Sequence, residues 1–192
     1  MSATETIISF AAKQVIDRVF GGATSIVTAY HKTHFIVLAR AIAESNRDAK
    51  IQESLSEVKK NINGLTDAGG EILRAIPDPP VPPSSDLSFL VDRQKAANFQ
   101  KQCDVYAKGV QAVIAILEDY IAKVDECINK TETQLRFIQR KLNMENAKWA
   151  AMRQISNRAR QTDIEFLLIG DIPDLKQQVN RAKSLLQKYK NQ

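Results

Sequence analysis

The sequence predicts an all-α fold, an elongated antiparallel bundle of four to six helices with coiled-coil-like packing around one very long helix. Apolar residues from 99 to 142 recur in alternating steps of four and three, the 3.5-residue period of a helix that buries a narrow stripe. No proline occurs between Asp86 and Ile172. Seven glycines and six prolines in 192 residues are too few turn residues for an all-β fold. We therefore interpret 1–192 as a single elongated helical domain.

The segment 4–47 is predicted to be a helix with two adjacent apolar stripes, bent at Gly21-Gly22, where each glycine costs about 1 kcal/mol relative to alanine. Together the stripes cover more of the circumference than a surface helix buries. The segment is therefore either the central helix of the bundle or one that contacts a partner or a membrane. The first stripe comprises Ile8, Ala12, Val15, Val19, Gly22, Ile26, Ala29 and Ile36. The second comprises Ile16, Phe20, Ala23, Val27, Tyr30, His34 and Leu38, from which we select Ile16, Phe20, Val27, Tyr30 and Leu38 as contact candidates.

A second heptad pattern predicts a helix over 49–76, which must end before Pro77 because proline disfavours helical geometry in the residue preceding it. Five prolines in 77–85 indicate a stiff, extended connector, either an interhelix strap or a ligand of SH3 type. The cap of the following helix is predicted among three residues, namely Ser84, Ser85 and Asp86.

The long helix is predicted over 86–143, a length of roughly 85 Å at 1.5 Å per residue. After it the apolar phase slips, which indicates a bend or turn between 143 and 162. A further helix is predicted over 146–169, with Gly170 as its stop. Asp171 is predicted to cap a last helix over 172–190, with Pro173 tolerated in its first turn.

Basic residues are concentrated in the last third of the chain. Residues 1–135 carry 15 Lys/Arg and 17 Asp/Glu, a net charge of −2, whereas 136–192 carry 12 and 5, a net charge of +7. Any anionic partner, either phosphates or lipid head groups, is therefore expected there. The candidate contacts are Arg136, Arg140, Lys141, Lys148, Arg153, Arg158 and Arg160.

The sequence offers no constellation that predicts catalysis, a cofactor, a metal site or a small-molecule substrate. His31 and His34 are three residues apart, which places them near one another on a helix, but no carboxylate motif of a metal-binding bundle accompanies them. Cys103 and Cys127 are about 36 Å apart along one helix, too far for a disulfide. We expect that the protein is not an enzyme.

Three functional hypotheses remain. The first is a non-enzymatic interaction or assembly protein that binds a protein partner or itself. The second is a membrane-active bundle that uses the apolar N-terminal helix, since in length pattern the chain resembles α-helical pore-forming proteins, a toxin-like class. The third is a nucleic-acid-associated protein that uses the basic segment 136–160. No signal peptide or membrane-spanning run is evident, which predicts a soluble protein, either cytoplasmic or released without a classical signal.

Overall fold

All regular structure in the described ranges is helical, which confirms the all-α prediction. The computed structural model describes residues 24–43, 48–84, 92–146 and 151–191, and their side chains except at 48–50, 145–146 and 151–156. The α-helices are α1 (Thr24–Ala43), α2 (Asp48–Ala75), α3 (Arg93–Asn146), α4 (Ala151–Phe166) and α5 (Ile172–Lys190), with a π-helical turn (Leu167–Asp171) between the last two. In these ranges no helix has a stretch sufficiently long and apolar to cross a membrane.

The long helix α3 has 54 residues, about 80 Å at 1.5 Å per residue. Its cap is Asp92, whose Oδ1 accepts the backbone N–H groups of Gln94 at 2.9 Å and Lys95 at 3.4 Å. These are the donors that an N-cap side chain satisfies. Asp92 is not among the caps predicted from the sequence, Ser84, Ser85 and Asp86, of which Ser85 and Asp86 lie outside the described residues. Residues 85–91, where the helix was predicted to begin, lie outside the described ranges.

The helices pack as a four-cornered bundle. Helix α1 packs against α2 and α3, and α5 packs against the same two helices. Helices α2 and α3 consequently face each other across the diagonal of the core. The proline-rich connector therefore lies in sequence between two diagonally placed helices.

Contacts between side chains fix the direction of each helix. Lys123 contacts Thr28 at 2.9 Å, and Thr131 contacts His34 at 2.6 Å, so α1 and α3 run parallel. The guanidinium of Arg40 lies 3.4 Å from the carboxylate of Glu57, late in α1 and early in α2, so these two helices are antiparallel.

A ladder of three ion pairs sets the register of α5 against α3. Each pair joins a lysine of α5 to a carboxylate of α3, and successive pairs are seven residues apart on both helices. The pairs are Lys176–Glu132 at 2.6 Å, Lys183–Asp125 at 2.7 Å and Lys190–Glu118 at 2.6 Å. Because seven residues make two turns, the ladder follows one edge of an antiparallel pair. Exposed pairs contribute at most about 1 kcal/mol each, so they specify register more than stability.

The proline-rich connector is tied to the ends of the bundle by two tyrosines. Tyr189 of α5 donates to the carbonyl of Pro77 at 2.9 Å, and Tyr106 of α3 donates to that of Pro80 at 3.3 Å. Burial and the nearby Asp78 carboxylate raise the pKa of Tyr189 to about 12, so its hydroxyl stays a donor. These contacts support the interpretation of the connector as an interhelix strap.

The helix does not end at Gly170, in contrast to the prediction. Asp171 has helical φ and ψ of −62° and −39° and forms no side-chain cap. The backbone N–H of Ile172 instead donates to the carbonyl of Leu167, five residues earlier. Pro173 has no N–H to continue an α-helical ladder, and the wider π turn lets the chain pass into α5 without a break.

Two glycines of α2 leave notches that tyrosines of other helices fill. A Cβ at Gly64 would meet the ring of Tyr30, and a Cβ at Gly69 would meet the ring and hydroxyl of Tyr120. Tyr120 reaches this notch across the core and is itself fully buried, which raises its pKa to about 12. The notches therefore set how closely α2 approaches α1 and α3.

We predict opposite effects of alanine at the two adjacent glycines of α2. Gly69→Ala should lower the free energy of unfolding by about 1–3 kcal/mol, because the buried Tyr120 has no space to retreat. Gly70→Ala should be neutral or stabilise by up to about 1 kcal/mol, since its Cβ would meet atoms only at ordinary distances of 3.6 Å and beyond, and alanine favours helix. Urea denaturation of both variants measures the difference, and equal stabilities would contradict the notch.

Candidate functional site

The structure shows which of the two apolar stripes of α1 faces the core. Val27 and Leu38, both from the second stripe, are fully buried, and Tyr30 is half-buried over Gly64. Val27 and Leu38 therefore line the bundle interior while α1 stays in place, and Tyr30 is only partly accessible. The other two candidates, Ile16 and Phe20, lie outside the described residues.

The described part of the first stripe, from Ile26 onward, faces outward and forms the candidate functional site. We call Ile26, Ala29, Thr33 and Ile36 the outer seam of α1. All four are exposed, with 42% of Ile26 and 64% of Ile36 accessible. Their spacing of three, four and three residues is that of a helix-packing stripe. Both stripes are evident in the sequence, but the predicted contact residues all belong to the second stripe. The larger side chains of the second stripe, Tyr30 and Leu38 among them, were the signal for burial.

The outer seam is more apolar than its composition suggests. The hydroxyl of Thr33 donates to the carbonyls of Ala29 at 2.9 Å and Tyr30 at 3.2 Å within its own helix. Its hydrogen-bonding capacity is thereby used locally, as serine and threonine hydroxyls often do in helices. The seam consequently consists of large isoleucines at both ends and two small residues in the middle.

A buried hydrogen bond holds α1 in this rotation. His34 Nε2 lies 2.6 Å from Thr131 Oγ1, and the same hydroxyl donates to the carbonyl of Cys127 at 2.6 Å. A hydroxyl has one proton to donate, so Thr131 must accept from an Nε2–H of His34. In the neutral imidazole this assignment places the proton on Nε2 and leaves Nδ1 as a buried acceptor with no partner in the described part of the chain. Burial, reinforced by His31, lowers the pKa of His34 to about 4.

His31, one turn earlier, points to a different part of α3. Its Nε2 lies 2.9 Å from Glu126, which also pairs with Lys130 at 2.7 Å. The hydrogen bonds from Lys130 and His31 lower the pKa of Glu126. The two histidines thus engage separate partners rather than one shared ligand. Within the ranges that the structure describes, no group of three side chains is arranged to hold a metal ion.

The basic candidates of the C-terminal third are dispersed. Arg136, Arg140 and Arg158 are exposed, while Lys141 is half-buried. Arg160 is buried and donates to Asn157 Oδ1 at 3.1 Å, so it is withdrawn from any anionic partner. Lys148 and the side chain of Arg153 lie outside the described residues. Arg136, Arg140 and Lys141 lie close together on α3, whereas Arg158 and Arg160 lie on α4.

A cleft of about 430 Å³ lies between α1 and α3. Among its lining residues the one ionisable group is Asp119, whose carboxylate lies 2.6 Å from the ammonium of Lys123. The remaining lining is Thr24, Ser25, Thr28, Ala115 and Ile116. This chemistry provides no pair of acid and base for catalysis.

Comparison of the chain with protein-family models, with curated proteins and with solved structures gives no match.

We predict that His34 makes the bundle sensitive to acid. Its pKa is about 4 in the folded state, against 6.5 for an unperturbed histidine. As the pH falls, His34 is therefore protonated in the unfolded state at a higher pH than in the folded state. The free energy of unfolding consequently decreases between about pH 6.5 and pH 4. The loss is about 3 kcal/mol at 1.36 kcal/mol per pKa unit.

Denaturation at a series of pH values measures this effect against a His34→Leu control, which cannot titrate and leaves the Thr131–Cys127 hydrogen bond intact. Between pH 7 and pH 4 the native chain should lose about 3 kcal/mol more than the control. Parallel curves for the two proteins would show that His34 is not the group responsible.

Proposed function

We propose that this protein is a non-enzymatic assembly module whose outer seam on α1 pairs with the outer seam of a second copy. One observation carries the proposal: α1 presents an exposed apolar stripe with coiled-coil spacing although its other stripe already satisfies the core. Exposed apolar surface of this kind marks interaction sites.

The order of side-chain sizes is compatible with a second copy in antiparallel orientation, which is the arrangement that we propose. Reading along the seam gives large, small, small, large, from Ile26 through Ala29 and Thr33 to Ile36. An antiparallel pairing sets Ile26 opposite Ile36 of the other copy and Ala29 opposite Thr33. The two small residues let the backbones approach, and the isoleucines close both ends. Such a self-complementary patch is what a twofold symmetric interface requires.

Two charged residues near the seam, Arg40 and Lys130, are compatible with this pairing. Arg40 is held by Glu57 of its own chain, and Lys130 beside α1 is held by Glu126. Neither charge has to lose its partner when a second helix docks. A contact made by one helix of 20 residues lies at the small end of specific interfaces. We therefore expect a dissociation constant in the micromolar range.

We predict that Ile36→Glu weakens self-association at least about tenfold, since twofold symmetry places the introduced charge in the interface twice. Sedimentation equilibrium over about 1 to 200 μM protein measures the change. Ile36 does not contribute to the core, so the variant should keep the helical content of the native chain. The matched control is Ile169→Glu, at a site 77% exposed outside the seam, which should leave association unchanged. A native chain that stays monomeric over this range would refute the proposal.

Disulfide trapping tests the orientation. In a Cys103→Ser background, an equimolar mixture of the Thr33→Cys and Ala29→Cys variants should form a cross-linked heterodimer, because antiparallel pairing brings these positions together. Thr33→Cys alone should cross-link poorly, since its two copies are then offset along the helices. The reverse result would indicate parallel pairing.

A further inference from the structure

The outward face of α3 changes sign along its length. Its acidic half is neutralised within the chain, because Glu118 and Asp125 pair with lysines of α5 and Asp119 with Lys123. From Lys130 to the end of α3 at Asn146 the sequence contains four basic residues and two acidic ones, Glu145 and Glu132, and Lys176 pairs with Glu132. The C-terminal half of the face is therefore left with a positive charge.

Five residues form this surface, which we call the basic face. On a helix of 3.6 residues per turn they occupy an arc of about 140°. Phe137 is 43% and Met144 67% exposed, and the ammonium of Lys141 lies 4.8 Å from the centre of the Phe137 ring. The basic face consists of Arg136, Phe137, Arg140, Lys141 and Met144.

The two arginines of the basic face are not used by the bundle. Both are exposed, and in the part of the chain that the structure describes neither has a carboxylate within ion-pair distance. They are four residues apart, so their guanidinium groups project side by side. This contrasts with the lysines of the α3–α5 ladder, each of which has its own carboxylate.

We propose that the basic face docks the protein on the surface of an anionic phospholipid bilayer. Arg136 and Arg140 would bind lipid phosphates, while Phe137 and Met144 would enter the boundary between head groups and acyl chains. On the helix surface Phe137 and Met144 lie between the arginines and Lys141, and a helix at this boundary uses basic side chains for anionic lipids and apolar side chains for insertion. The proposal concerns a face distinct from the outer seam of α1 and does not depend on self-association.

The apolar residues favour a bilayer over a nucleic acid. A phosphate backbone attracts the arginines equally well but offers nothing to Met144, whose apolar side chain would remain in water. The face is a convex helix surface, and Phe137 is its one aromatic residue. It therefore has neither the groove nor the succession of stacking side chains that single-stranded nucleic acids require.

Sedimentation of the full chain with vesicles tests the proposal. Vesicles of phosphatidylcholine with about 30% phosphatidylserine should bind the protein, and pure phosphatidylcholine vesicles should bind it far more weakly. The double variant Arg136→Gln/Arg140→Gln should lose about 25-fold in binding, about fivefold for each charge near the surface. Phe137→Ser/Met144→Ser should lose at least about fivefold on the same anionic vesicles.

Lys59→Gln/Lys60→Gln is the matched control, since it removes two exposed charges of α2 and should change binding less than about twofold. An equal loss in this control, or equal binding to both vesicle types, would overturn the proposal. The proposal would also be overturned if the protein bound duplex RNA and Phe137→Ser/Met144→Ser left that binding unchanged. This result would assign the face to a nucleic acid. The Ile36→Glu variant keeps the basic face and should bind vesicles like the native chain, so failure of self-assembly is distinguishable from failure here.

Discussion

The hydrogen bond between His34 and Thr131 is the constraint on which the rest of this structure depends. It lies in the buried contact between α1 and α3, and it joins a neutral imidazole to a hydroxyl that is already committed to the carbonyl of Cys127. Rotating α1 would bury other side chains but would leave these polar groups without partners, at a cost of about 1–3 kcal/mol each. The bond therefore selects one rotation of a helix that is apolar on both faces.

The same helix is positioned from the other side by packing. Tyr30 fills the notch at Gly64, and Tyr120 fills the notch at Gly69 from the opposite corner of the bundle. The hydrogen bond is directional and fixes the rotation of α1 about its own axis. The notches select side chains by shape and fix the distance between the helices. With α1 held in this way, its outer seam is a preformed surface, and pairing with a second copy does not require the core to open.

Ion pairing within the chain determines which charges remain on the outward face of α3. The ladder to α5 pairs Glu118 and Asp125 of the acidic half, whereas Arg136 and Arg140 of the basic half have no ion-pair partner among the described residues. Local rules identified the heptads, the strap and the excess of basic residues. They did not identify the cap at Asp92, because Ser84, Ser85 and Asp86 were equally acceptable cap residues. They also treated Gly170 as a stop, whereas the missing N–H of Pro173 is accommodated by a π turn.

The sequence by itself determined that this chain is a set of long helices, because a 3.5-residue apolar period can be read without knowing any neighbour. It also showed that α1 has more apolar surface than one core needs. Only the tertiary structure decided that Val27 and Leu38 face inward and Ile26 and Ile36 outward. Both stripes satisfy the same period, so the choice rests on what other helices bring to the contact. The first deciding feature is the Thr131 hydroxyl, 97 residues from His34 in the sequence. The second is the space above Gly64, 34 residues from Tyr30.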